Sequence, residues 1–343
     1  MGKTGEADLM QSLSQSSGSH IHAKTGTGLP PGPGIAHGFP SHYRLELRCR
    51  EELPNPREDT MEHTADRWLR LKLRHIANEA AELPALRVLG KPLYRHMFRR
   101  PSRDGNAYFG KYASYPEAKA ATPPTLPSSY AQADTSGMYR DQHQRIRVSD
   151  YPLVHWLAKL LGDGHRNIFD LGGHMGVSYY GFSNYIDYPA DMQWLVHDVP
   201  DIVRAGREWA RTHDPEGRLA FTDSRLDASG QDVLVTSGAL QYLDFTLQEL
   251  LGQLPDPPRH VVINLVPMHP TQSYFTLQNI GRAILPYRVT AIPEFIGAME
   301  ALGYQVVDQW HSAERYIRVP FEPTCRIDGY EGFYFQKIGE AEN

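Results

Sequence analysis

The stretch Asn167-Ile168-Phe169-Asp170-Leu171-Gly172-Gly173-His174-Met175-Gly176 decides how this chain folds. A short apolar run ends at a carboxylate, a glycine-rich turn follows, and a helical pattern begins at Val177, which reads as strand, tight turn and helix. Glycines there let the backbone turn sharply and approach a ligand without a Cβ clash. The helix that follows points free N–H groups at the same place. A purely structural strand-to-helix turn uses the same residues. The spacing Gly172-x-x-x-Gly176 departs from the GxGxxG pattern that cradles a pyrophosphate, which argues against a nicotinamide or flavin enzyme.

Working outward, the next apolar run, Met192–His197, ends in Asp198. A carboxylate at the tip of a second strand is placed to accept hydrogen bonds from both hydroxyls of a ribose. Asp198 is equally suited to cap the helix starting near Pro200, and the two roles are compatible. Further runs at Leu219–Thr222, Asp232–Thr236, His260–Leu265, Gln305–Gln309 and Gly332–Lys337 alternate with helical stretches. Alternation of this kind predicts a seven-stranded, mostly parallel α/β sheet covered by helices. The last two runs lack a helix between them and predict an antiparallel hairpin at the sheet edge. Asp223 follows the third strand, where it can meet an adenine amino group. Ser237-Gly238-Ala239-Leu240-Gln241-Tyr242 follows the fourth, where the carboxyl ends of the strands open on a crevice.

Before the first strand the character changes. Residues 1–61 are rich in Ser, Gly, His, Thr and Pro and read as a disordered leader. Residues 62–139 read as a helical cap or lid. Apolar positions from Trp68 to Ala80 repeat at helical spacing, and a second helix is expected over 86–99. Tyr115-Pro116 marks a helix entry, and a Pro/Ser/Thr linker runs from Thr122 to Ser129. The basic cluster Arg95, Arg99, Arg100 and Arg103 reads as a solvated helix face. A catalytic domain is expected over 140–338 and a short tail over 339–343.

Bulk properties narrow the function. The chain has 343 residues, 41% of them hydrophobic, and a formal charge of −5. It can build a core but shows no broad basic footprint for nucleic acid, so a small molecule is the expected partner. The two cysteines, Cys49 and Cys325, have no metal-ligand spacing. No run approaches the ~20 apolar residues that span a bilayer, so no membrane partner and a cytoplasmic location are expected. Oligomeric state is not legible.

The stretches Tyr112-Ala113-Ser114-Tyr115-Pro116-Glu117-Ala118, Asp170-Leu171-Gly172-Gly173, Ser178-Tyr179-Tyr180 and Ser237-Gly238-Ala239-Leu240-Gln241-Tyr242-Leu243, followed by Gln278, resemble in this order a bacterial family of S-adenosylmethionine (SAM)-dependent methyltransferases. The resemblance covers residues 105 to 338 and looks closest to the azetidine-2-carboxylate synthases of nonribosomal peptide pathways. It implies a class I methyltransferase (Rossmann-like) fold and SAM as cofactor or substrate. Asp170, Gly172, Gly173, Gly176, Asp198, Asp223, Ser237 and Gln241 are then the expected SAM-binding set. One departure stands out. Many family members carry Arg-Thr-Pro after the fifth strand, where this chain has Asn264-Leu265-Val266-Pro267-Met268.

Two reactions make different demands. Methyl transfer needs an in-line acceptor and often a base, for which His269 is better placed than His174 or His197. Ring closure, the activity implied by the closest resemblance, turns the aminobutyryl chain of SAM into azetidine-2-carboxylate and releases methylthioadenosine. It needs a neutral, oriented amine and aromatic faces for the sulfonium. Tyr139, Tyr179, Tyr242, Asn264 and Gln278 are the candidates for that work, with Tyr180 beside them; any one of these tyrosines also suits core packing. Neither reaction calls for a metal. A third reading is a noncatalytic SAM-binding module.

Overall fold

The computed structural model describes residues 87–101, 106–128 and 146–339, all within one compact unit of the chain. The expected leader, the helix over 64–82 and Tyr139 lie outside the described residues.

The strands β2 (Asn167–Leu171), β3 (Gln193–His197), β4 (Leu219–Thr222), β5 (Val233–Ser237), β6 (His260–Val266), β10 (Tyr304–Ser312) and β13 (Tyr330–Lys337) form one seven-stranded sheet in the order β10-β13-β6-β5-β2-β3-β4. Each was expected from its apolar run, to within a few residues at its ends. β2 to β6 pair in parallel, while β13 is antiparallel to both β6 and β10. That is the expected hairpin, with β10 at the edge and β13 between it and β6. Strand order and the single reversed strand together make this the class I methyltransferase fold.

The central strands are buried on both faces, which is why they read as unbroken apolar runs rather than alternating ones. On one face Ile168, Trp194, Val196, Val233 and Val235 pack under α3 (Tyr151–Gly162), α4 (Val177–Phe182) and α5 (Pro200–His213). Phe169, Leu171, Leu234, Val261, Ile263, Phe333 and Phe335 face the other way, under α6 (Leu247–Gln253) and α7 (Ile292–Glu300). Each such side chain removed from water contributes ~1.5–3 kcal/mol before chain entropy is set against it.

The segment expected to be a helical cap differs from that expectation. Helices α1 (Arg87–Phe98) and α2 (Tyr115–Ala120) are present, with Ser114 capping α2 through the N–H of Glu117 and Pro116 in its first turn. Between them, however, lies the strand β1 (Ala107–Tyr112). It joins β7 (Met268–His269), β8 (Tyr274–Asn279) and β9 (Ile284–Ala291) in a second sheet of order β1-β8-β9-β7. β1 runs antiparallel to β8, with Tyr108 opposite Gln278. Cap and catalytic segment therefore share one sheet. A small hairpin of β11 (Ile317–Arg318) and β12 (Arg326–Ile327) packs its Ile317 and Ile327 into the tyrosine-rich core beside it. No helix among the described residues is long and apolar enough to cross a membrane.

Candidate functional site

A cleft of about 400 Å³ opens across the carboxyl ends of the parallel strands. Its floor at one end is the glycine turn. Gly172 has φ +74°, a left-handed conformation, and a Cβ there would lie 2.4 Å from that of Ala239. At Gly173 a Cβ would meet the Asp170 carboxylate at 2.3 Å. Only glycine keeps this turn closed over that carboxylate.

Asp170 is 1% exposed and accepts the indole N–H of Trp194 at 3.2 Å. Burial pushes its carboxyl up to about 7; the Trp194 hydrogen bond opposes this, and the nearby Asp198 adds to it. Asp198 accepts the main-chain N–H groups of His174 at 3.0 Å and Val199 at 2.8 Å. Burial pushes its carboxyl up to about 6 against those two bonds. The turn itself is tied to the second strand tip, since the N–H of Gly172 donates to the carbonyl of His197 at 2.8 Å. His197 lines the cleft beside Asp198, and burial together with Arg225 lowers its basicity.

The expected SAM-binding residues divide. Asp170, Gly172, Gly173, Asp198 and Ser237 line the cleft, as do His174 and Ser178. Gly176 starts α4 in a left-handed conformation, with Leu219 behind it, and does not line the cleft. Asp223 is exposed at the tip of β4, outside the cleft lining. Gln241 turns away. Its side chain donates to the carbonyl of Gly238 at 2.7 Å and faces a separate pocket of about 240 Å³ under α7.

Of the described residues expected to act on the sulfonium, only Tyr242 lines the cleft. Its hydroxyl donates to Gln278 Oε1 at 2.8 Å. Gln278 is 1% exposed and in turn donates to the Tyr108 hydroxyl at 3.0 Å. Tyr179 points into the core, stacked on Tyr188, with its hydroxyl on Asp214 at 2.8 Å. Asn264 is fully buried. It donates to the Ser149 carbonyl at 3.0 Å and accepts the Trp310 indole N–H at 3.0 Å. Its amide also reaches Asp150 Oδ1 and Ser237 Oγ, each at 3.3 Å. These are positioning contacts one layer behind the cleft. His269 is held by the Thr324 carbonyl at 3.1 Å and by main-chain N–H groups of its own loop, away from the cleft lining.

The rest of the lining comes from residues outside the expected site set. Asp150, 6% exposed, accepts the Arg147 main-chain N–H at 2.9 Å, and the Arg147 guanidinium approaches the same oxygen at 3.4 Å. Both line the cleft, with Tyr115, Asp244, Phe245, Leu265, Leu285, Pro286 and Arg315. Leu265 carries φ +55°, rare for a side chain branched at Cγ, where β6 leaves the sheet. An Arg-x-x-Asp pair just before the Tyr151-Pro152 helix start was a readable signal for Asp150. Nothing local marks Arg315, in the loop after an edge strand.

No family model and no curated protein sequence matches the chain. Among solved structures it is similar to the 1,6-didemethyltoxoflavin N1-methyltransferase of Burkholderia thailandensis, bound to its substrate and S-adenosylhomocysteine. Identity is 17%, covering 60% of this chain and 83% of that one, with a TM-score of 0.39. It is also similar to a magnesium protoporphyrin IX methyltransferase of Synechocystis PCC 6803 with bound S-adenosylhomocysteine, at 12% identity over 56% and 85% of the two chains and a TM-score of 0.38. A glycopeptide N-methyltransferase complexed with SAM gives 12% identity over 57% and 97%, again with a TM-score of 0.38. Likeness at this level carries no information on reaction or acceptor. The strand order and the reversed β13 are what give the chain the class I methyltransferase fold.

Proposed function

We propose that this chain is a SAM-dependent enzyme that transfers the methyl group to a small-molecule acceptor. One observation carries the reading. The lining of the cleft does not end at the glycine turn and Asp198; it also includes Tyr115, Tyr242, Phe245, Leu285, Pro286 and Arg315. SAM is assigned to the first half, its ribose on Asp198 and its amino-acid part above Gly172 and Gly173. The part lined by Tyr115, Tyr242, Phe245, Leu285, Pro286 and Arg315 is assigned to the partner molecule that methyl transfer requires.

Ring closure of SAM is the second reading. It is favoured by the family resemblance and by the Tyr242 hydroxyl, oriented by Gln278 at the cleft wall. It loses support from Tyr179, Asn264 and Gln278, whose polar atoms are engaged behind the cleft.

Incubation of the purified chain with SAM, followed by chromatography of the nucleoside products, separates the readings. S-adenosylhomocysteine that forms only with an added acceptor is the expected result. Methylthioadenosine and azetidine-2-carboxylate from SAM alone would replace methyl transfer by ring closure. Binding of SAM without either product would leave a noncatalytic module.

A further inference from the structure

We propose that the second half of the cleft takes an aromatic carboxylic acid, with Arg315 fixing its carboxylate. The proposal rests on the two-substrate reading above and adds the class of the acceptor.

A charge inventory of the cleft leads to it. Arg147 is matched by Asp150 at 3.4 Å. Asp170 accepts from Trp194, and Asp198 accepts two main-chain N–H groups. Asp244 is exposed at the rim, within the electrostatic reach of Arg288. Arg315 differs. It is partly buried, and its guanidinium lies 6.0 Å from the centre of the Tyr330 ring. Among the described residues it has neither a hydrogen bond nor a carboxylate within 4.0 Å. A guanidinium carries five N–H donors in a planar fork. In a half-dry cleft a carboxylate answers that fork with two parallel hydrogen bonds, a match a neutral group does not provide.

Topology places this cation away from the Asp198 tip. Arg315 follows β10, whereas Asp198 follows β3, and β2, β5, β6 and β13 lie between those strands. At ~4.8 Å per strand step, the two tips are farther apart than a ribose and its hydrogen-bonding carboxylate. The cleft lining also supplies aromatic and apolar surface in Tyr115, Tyr242, Phe245, Leu285 and Pro286. Aromatic faces and one unpaired cation describe a site for a planar ring carrying an acid.

The test is calorimetry on the full chain saturated with S-adenosylhomocysteine. The probes are benzoate, 3,4-dihydroxybenzoate and indole-3-carboxylate, each paired with its neutral primary amide. At least one acid is expected to bind about tenfold or more tighter than its amide. Arg315→Gln should reduce that preference to within about twofold, and Arg315→Lys should restore part of it without the bidentate geometry. S-adenosylhomocysteine affinity should stay within about twofold of wild type in both variants. The proposal is overturned if no acid is preferred over its amide, or if the preference survives Arg315→Gln. A drop in S-adenosylhomocysteine affinity in Arg315→Gln also overturns it, by assigning the guanidinium to the cofactor's own carboxylate. Failure of the wild-type chain to bind S-adenosylhomocysteine at all would sink the SAM reading itself, before any acid is added.

Discussion

Asp198 Oδ2 accepts the main-chain N–H of His174 at 3.0 Å, so the tip of the second strand is latched to the glycine turn that follows the first. The carboxylate proposed to receive the ribose thus already shapes the glycine turn beside it. Asp198→Asn keeps the volume but loses one acceptor oxygen, and Asp198→Ala loses both. Calorimetry with S-adenosylhomocysteine should show affinity falling about tenfold in the first and about a hundredfold in the second, the scale of one and two charge-assisted hydrogen bonds. Unchanged affinity in the alanine variant would remove Asp198 from the site.

The two buried carboxyls give the ligand-free protein a pH signature. Asp170 is pushed up to about 7 and Asp198 up to about 6, both above their ordinary value of 3.8. The folded state therefore holds these protons more tightly than the unfolded chain. Their contribution to stability is full below about pH 4 and is lost as pH rises through about 6 and then 7. Urea unfolding should show stability falling by several kcal/mol between pH 4 and 8 from these groups. Asp170→Asn should flatten most of that slope. A slope of the opposite sign, assigned to Asp170 by this variant, would contradict the environment described for it.

Gly173→Ala puts a methyl group against the Asp170 carboxylate, at 2.3 Å if nothing moves. Overpacking at a closed turn costs about 1–3 kcal/mol, and the shift needed to relieve it lifts the cleft floor. Thermal unfolding should show the destabilisation, and S-adenosylhomocysteine binding should weaken with it. Retention of both would mean that the turn is looser than its geometry indicates.

Tyr179 and Tyr242 should part company when each loses its hydroxyl. Tyr179→Phe removes a hydrogen bond to Asp214 in the core and should lower stability by about 1 kcal/mol, with kcat and KM for SAM nearly unchanged. Tyr242→Phe strands the buried Oε1 of Gln278 at the cleft wall, at a cost of about 1–3 kcal/mol, and should alter kcat. Equal kinetic damage from both variants would restore Tyr179 to the catalytic set.

The contrast between these two tyrosines shows where the sequence is legible. Strands such as Val233–Ser237 and His260–Val266 are buried on both faces, so an unbroken apolar run announces each one. The glycine turn and Asp198 are local features whose chemistry depends on immediate neighbours. β1 and β8 are not of that kind. Gly110 and Lys111 interrupt the first, and Gln278 and Asn279 place buried polar side chains in the second. Those amides are satisfied by residues far off in the chain: Gln278 by Tyr108, 170 positions away, and Asn279 by the Phe98 carbonyl, 181 positions away. Tyr179, Asn264 and Gln278 sit on the right segments, but helix phase and strand pleat turn them behind the cleft. Arg315 enters the site only because β10 ends beside it.

The pairing of β1 with β8 also sets an order of events during folding. The parallel strands and their helices gather contacts between neighbours in the chain. The β8–β9 hairpin is local, but β1 joins the second sheet only when Tyr108 has found Gln278 across some 170 residues. Closing so long a loop is entropically costly, and non-local pairing of this kind is slow to form. In the interval Tyr274–Asn279 presents a bare strand edge, the type of surface on which unfinished chains join one another. The cleft wall at Leu285 and Pro286 of β9 is thus carried by a sheet that is complete only once β1 has closed on β8.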